Sequence, residues 1–159
     1  MSKKKQFDLR IVSQPFYPEM VSSGQALTEL AEELTSYGLK IKVIASQPTI
    51  LENSKTVPKI IEYKGIHILR TWSTRFPKLS FAGKFINLIT FFITASFDIL
   101  FHDRKVPLLL VTNPPYMALI GWLNNLLNGT KYGVLLFDIM PEQAELQIEV
   151  PRSEEHTSE

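Results

Sequence analysis

A short strand, an amphipathic helix and a second strand follow one another within about 40 residues near the start of the chain, and few folds accept that order. Residues 7–13 (FDLRIVS) have a β-branched centre that polar Gln14 and then Pro15 end, so they read as a strand. In residues 24–37, Ala26, Leu27, Leu30, Ala31 and Leu34 recur at helical spacing, with Glu29, Glu32 and Glu33 off that face. Ser22-Ser-Gly-Gln25 has capping-box spacing at its start, and Gly38 stands where a helix stop belongs. Residues 40–45 (KIKVIA) then form a second strand. Such a crossover is right-handed and makes its strands parallel.

The alternation continues. Residues 46–64, with two prolines, Asn53 and mixed charges, read as a long surface connection, and residues 66–72 (IHILRTW) as a third strand. Residues 73–80 read as loop. Residues 107–112 (PLLLVT) are a continuous apolar run, the mark of a central strand covered on both faces. Asn113-Pro-Pro-Tyr116 opens a helix through Asn128, with Asn113 as cap and Gly129 as stop, and residues 131–137 (KYGVLLF) form the fifth strand. A turn at residues 138–141 leads into a short helical pattern from Glu142 to about Ile148. The expectation is an α/β fold with a doubly wound parallel sheet. With the order 3-2-1-4-5, strand order reverses between the first and fourth strands, and ligands bind beyond the carboxyl ends there. The loops at residues 14–24, 113–116 and 138–142 flank that point.

Composition narrows the function. With 159 residues the chain has room for one domain. Seventeen basic against 16 acidic residues give no basic surface for nucleic acid, and the absence of cysteine excludes a disulfide framework, a thiolate metal site and a cysteine nucleophile. The basic start, with its short apolar run broken by Asp8 and Arg10, is no signal peptide, and a reducing cytoplasmic setting fits.

Ser22, Ser23 and Gly24 lie at a helix start, where free backbone N–H groups and the helix dipole suit a phosphate; capping the helix is the alternative role. Asp138 and Glu142 are placed to hydrogen-bond a sugar hydroxyl or take its proton, or else to complement the next helix's dipole. No G-x-G-x-x-G follows the first strand and no G-K-[ST] occurs, so a nicotinamide oxidoreductase or a P-loop enzyme has no support. His67 and His102 have no second ligand at metal spacing, and no acidic metal-binding cluster appears, so no metal or other cofactor is expected.

The run from Phe7 through Gln14-Pro-Phe-Tyr-Pro18-Glu19, then Ser23-Gly24 and Leu27-x-x-Leu30-Ala31-x-x-Leu34-x-x-x-Gly38, resembles the opening of family 4 glycosyltransferases of the GT-B type. Val111-Thr-Asn-Pro-Pro115 before an apolar helix, and Phe137-Asp-Ile-Met-Pro-Glu142-x-Ala144, are similar to later landmarks of the subgroup that builds exopolysaccharides and O-antigens, colanic-acid-type enzymes included. The resemblance runs from about Phe7 to Pro151. It implies two Rossmann-like domains in the parent enzyme, of which this chain is the N-terminal, acceptor-side half. It further implies that Ser22, Ser23 and Gly24 approach the phosphate of a nucleotide-sugar donor, that Tyr17, Asn113, Tyr116 and Glu142 face a lipid-linked or polysaccharide acceptor, and that Asp138 is the catalytic candidate. The chain departs from the family in having Ser23-Gly24 for a Gly-Gly pair and Met140 for a Trp. The donor-holding acidic motif belongs to the C-terminal domain, so this chain alone is expected to be inactive. A stand-alone Rossmann-like module that binds a nucleotide or a protein partner without catalysis is the rival reading.

Two segments stand apart. Residues 81–101 are dense in Phe, Ile and Leu, but Lys84 and Asp98 leave 13 residues between them, short of a bilayer span. A sheet-covering helix, a helix that also docks in a membrane interface, and a spanning helix are the three readings; the resemblance favours the second, on the inner face of the plasma membrane, with Lys3 to Lys5, Lys78 and Lys84 meeting anionic lipid. The last eight residues, 152–159 (RSEEHTSE), resemble the in-frame translation of a common sequencing adapter and read as a non-native tail after a domain of residues 1–151, with a natural acidic tail as the alternative. Without its one Arg and three Glu, 16 basic and 13 acidic residues remain, a net +3. Cutting the chain after the fifth strand is expected to leave apolar surface exposed and solubility poor.

Overall fold

The computed structural model describes residues 7–20, 23–48, 57–74, 76, 81–112 and 116–137. The predicted turn and helical pattern at 138–148, and the 152–159 tail, lie outside them.

Residues whose side chains alternate between two apolar faces pair into one sheet. The strands are β1 (Leu9–Val12), β2 (Ile41–Ala45), β3 (Ile60–Tyr63), β4 (Ile66–Arg70), β5 (Leu108–Val111) and β6 (Tyr132–Leu135), in the order β3-β4-β2-β1-β5-β6. All neighbours are parallel except β3 and β4. The five predicted strands therefore stand in the order 3-2-1-4-5, and the reversal falls between β1 and β5. This is a doubly wound, Rossmann-like α/β arrangement.

β3 corrects the expected structureless connection at 46–64. Residues 60–69 form a hairpin whose turn is Lys64-Gly65, with φ of +48° and +79°. Positive φ at both central residues is the two-residue turn whose twist matches that of its strands, and glycine takes the second position without strain. Tyr63-Lys-Gly-Ile66 carries this signal in sequence. The strand predicted to reach Trp72 ends at Arg70, and Trp72 is exposed.

α1 (Ser23–Ser36) lies on one face, where Leu27 and Ala31 pack with Ile11, Val43 and Ile68. Gly38 ends it as predicted, with φ +86°. Ser22 of the predicted capping box lies outside the described residues, and the Gln25 amide donates to Glu29 at 2.9 Å. α2 (Phe81–Phe101) and α3 (Met117–Asn128) cover the opposite face, where Phe91, Ala95, Ile99, Met117 and Ile120 pack with Val12, Ile44, Leu108 and Leu110. α3 starts later than predicted: Tyr116 holds its N-cap position and donates no side-chain cap, while Gly129 ends it with φ +65°. Asn113 lies outside the described residues.

α2 has the bounds the sequence suggested, and its polar residues explain why. Asn87, Thr90, Thr94 and Asp98 form a stripe at helical spacing turned toward the chain's own backbone and charges. Asn87 bonds the backbone of Phe76 at 3.0 and 3.1 Å, Thr94 donates to Trp72 O at 2.7 Å, and Asp98 holds Lys42 at 2.9 Å. Among the described residues no helix is long and apolar enough to cross a membrane, so the spanning reading fails.

Candidate functional site

Parallel strands place all their carboxyl ends at one edge of the sheet, and the reversal between β1 and β5 is where folds of this kind form a ligand crevice. The loop leaving β1 forms one wall. Its anchor is Phe16, fully buried, and its backbone is held from beneath by Arg70 at the end of β4. The Arg70 guanidinium donates to Ser46 O at 2.5 Å, to Phe16 O at 3.3 Å and to Tyr17 O. Ser46 in turn donates from both its amide and its hydroxyl to Gln14 O, at 3.1 and 2.9 Å.

Arg70 reaches this place by parity. Ile66 and Ile68 point into the α1-side core, so position 70 points the same way, where the sheet ends and loop carbonyls take the place of apolar side chains. Burial lowers its pKa from the usual arginine range to about 10, and the nearby carboxylate of Glu19, itself buried, opposes that shift. Arg70 Nε has no hydrogen-bond partner among the described residues. Arg70 and Glu19 were absent from the residues read as functional. The signal was present in the alternation of IHILR, which sets a charge on an inward position.

Of the predicted site residues, Ser22, Asn113, Asp138 and Glu142 lie outside the described residues. Ser23 is the first residue of α1, half-buried at the crevice edge. Gly24 is buried, and the space its side chain would occupy is filled by the chain's own loop: a Cβ there would lie 2.7 Å from Glu19 O and 3.2 Å from the Pro15 side chain. Its lack of a side chain therefore lets the β1–α1 loop close on the helix. The first turn is tied to the loop again by Thr28, whose hydroxyl donates to Gly24 O at 2.7 Å and accepts from Tyr17 N at 3.3 Å.

Tyr17 is a correction. Its ring stacks on Tyr63 of β3, with centroids 3.7 Å apart, on the hairpin side of the sheet and away from the β1–β5 crevice. Only its backbone belongs to the crevice wall. Tyr116 stands at the other wall, at the head of α3, with its ring edge-on to Phe92 of α2 at 5.4 Å. Its hydroxyl is buried without a partner among the described residues, and burial raises its pKa. The structure thus brings Ser23 and Gly24 to one side of the crevice and Tyr116 to the other, without Tyr17. Among the described residues no three His, Asp or Glu side chains come together as a metal-binding group.

The chain is similar in fold to sucrose-phosphate synthase from Thermosynechococcus elongatus, a GT-B glycosyltransferase, with a TM-score of 0.55 and 12% identity. The match covers 92% of this chain but 36% of that one, so this chain spans little more than a third of that protein's length. At such identity the likeness establishes the fold. No protein-family model matches the chain, and no curated protein sequence does.

Proposed function

We propose that the chain is the N-terminal, acceptor-side part of a GT-B glycosyltransferase of the family 4, exopolysaccharide-building kind. In this reading the whole enzyme moves a sugar from a nucleotide-sugar donor to an envelope polysaccharide acceptor carried on a lipid, at the cytoplasmic face of the membrane. The observation that carries it is the reversal of strand order between β1 and β5 in a sheet whose fold matches a GT-B enzyme over 92% of this chain.

The partner domain holds the donor, and the crevice wall described above supports the acceptor. Arg70 holds the β1–α1 loop at Phe16 and Tyr17, ahead of the helix start where Ser22, Ser23 and the free N–H groups of α1 meet the donor's diphosphate. Charge on the departing diphosphate is offset by that helix dipole and by positive groups of the partner domain. Asn113, Tyr116 and Glu142 line the acceptor path, and Asp138, three residues past β6 in the sequence, accepts the proton of the attacking hydroxyl. Tyr17 acts here only through its backbone.

The test is to read the gene across codon 151 and express whatever frame continues beside the 159-residue chain. The continued chain is expected to move label from nucleotide sugars into lipid extract, and the shorter one to move none. Transfer by the 159-residue chain itself defeats the half-enzyme reading. A true stop after Glu159, with nucleotide binding but no transfer, favours the stand-alone binding module.

A further inference from the structure

We infer that Trp72 is the platform on which a sugar ring of the acceptor stacks. The inference rests on the acceptor-side reading of this chain and adds to it a residue that the reading does not use.

An exposed apolar residue by itself needs no explanation. Trp72 differs because the backbone that carries it is fixed on every side. The ladder runs one residue past β4, where Thr71 N donates to Ala45 O at 2.9 Å. Beyond that point the polar stripe of α2 clamps the chain. Thr94 donates to Trp72 O at 2.7 Å, Thr90 accepts from Thr74 N at 3.1 Å, and Asn87 accepts from Phe76 N and donates to Phe76 O at 3.0 and 3.1 Å. Thr71 and Ser73 are buried, yet the indole between them is 67% exposed. Ordering this segment has already cost its conformational entropy, and a large ring with two rotatable bonds loses little more when a ligand covers it. Such a side chain is built to bind. β4 is paired on both sides, by β3 and β2, in the half of the sheet away from β6, so an uncovered sheet edge does not account for the exposure.

Place and neighbours select the ligand. Trp72 lies two residues past the carboxyl end of β4, on the edge where sheets of this kind bind ligands. Incomplete pairing gathers at the same edge. Of the four buried side-chain polar atoms without a hydrogen-bond partner among the described residues, three stand there: Arg70 Nε, Ser73 Oγ and the Tyr116 hydroxyl. Buried polar groups are nearly always paired, so such a cluster marks where a ligand is met. An aliphatic ligand would call for apolar neighbours, but Arg70, Thr71, Ser73 and Thr74 flank the ring in the chain. A pyranose has the matching double character. The C–H groups of one face pack on an indole, whose face is electron-rich, and its rim of hydroxyls stays among polar groups.

The chain has two tryptophans, so Trp122→Phe leaves Trp72 as the one source of indole emission. The test is titration of this variant of the 159-residue chain with the methyl glycosides of glucose, galactose and mannose, with glycerol and uridine as comparators. Emission is expected to shift and saturate with at least one glycoside, and not with glycerol. Saturation-transfer NMR on the glycoside, which needs no indole, should show binding about tenfold weaker in Trp72→Leu, which keeps the bulk and loses the ring face, and largely restored in Trp72→Phe. Circular dichroism should be the same for all three, since an exposed side chain supports no core. No response to any glycoside overturns the inference, as does equal binding by the leucine variant; saturation by uridine alone gives the ring to a nucleobase and overturns it too. In the chain continued past codon 151, Trp72→Leu should raise the acceptor KM about tenfold with little change in kcat. Transfer with an unchanged KM overturns the inference and leaves the transferase reading standing. Glycoside binding through Trp72 in a continued chain that transfers nothing upholds the stacking and defeats the transferase reading.

Discussion

Two arginines are buried at opposite edges of the same sheet, and the protein treats them differently. Arg10, at the amino edge of β1, donates from Nε, Nη1 and Nη2 to the carbonyls of Ile99, His102 and Val106, at 2.9 to 3.3 Å. It thereby caps the carboxyl end of α2, where free carbonyls and the helix dipole favour a cation. Beside it Lys42 binds Asp98 and Asp103. Burial lowers the pKa of Arg10, while Asp103 and Asp98 oppose the shift. Arg70, at the carboxyl edge, holds loop carbonyls, has Nε unpartnered among the described residues and has Glu19 as its opposing charge. The amino edge is a closed set of charges that locks a helix to the sheet. The carboxyl edge spends a less compensated charge on shaping a loop at the crevice, which is where strain and incomplete pairing are expected if the edge has a ligand to meet.

The largest test of that contrast breaks the closed set. Asp98→Ala leaves Lys42 and Arg10 buried with one carboxylate fewer, and is expected to cost about 3 kcal/mol in chemical denaturation. Lys42→Met with Asp98→Leu removes both partners and should recover most of it, since well-packed apolar pairs replace buried ion pairs at little loss. If the double variant is no better than the single, the amino edge is not a balanced set. Arg70→Met should cost less, about 2 kcal/mol, because its lost hydrogen bonds are partly offset by the relieved cost of burying the charge. Faster amide exchange should appear in residues 13–20. The pH dependence gives the sign. The folded pKa of Arg70, about 10, lies below the ordinary arginine range, so the unfolded chain binds the proton more tightly above that value. The wild-type protein should therefore gain stability relative to Arg70→Met as pH rises above about 10. An unchanging difference refutes the uncompensated-charge account.

The order of strands and helices, the extent of α2, the glycine stops and the reversal between β1 and β5 were legible in the sequence, because apolar periodicity and helix stops are local signals. The buried charges were not. Arg10, Lys42 and Arg70 each sit within an apolar strand, and only strand pairing and helix placement say what meets them: Arg10 reaches Val106, 96 positions away, and Lys42 reaches Asp98, 56 away. Asp98 carries the same limit: read along the chain it only interrupts a hydrophobic segment, whereas in the fold it is the partner of Lys42 on β2, three elements earlier. Tyr17 was misplaced because its neighbour in space, Tyr63, belongs to a hairpin that the reading of residues 46–64 had left without a strand.

That hairpin supplies the smallest test, and it asks whether the two edges are independent. Gly65 has φ +79°, and a Cβ there would lie 3.1 Å from the Thr35 methyl on α1. Gly65→Ala should cost about 1–2 kcal/mol through left-handed strain at an alanine, and should fray β3 from β4. The neighbouring Lys64–Glu32 pair, at 2.6 Å, is exposed on the lysine side and offsets little of this. Tyr63, just before the turn, carries the ring on which Tyr17 stacks, so the turn is linked to the Arg70 loop but shares no partner with the Arg10 set. Gly65→Ala should accordingly add to Asp98→Ala within about 0.5 kcal/mol, and depart from additivity with Arg70→Met. Equal coupling to both variants would mean that the sheet transmits strain from edge to edge, and that its two poles are one cooperative unit.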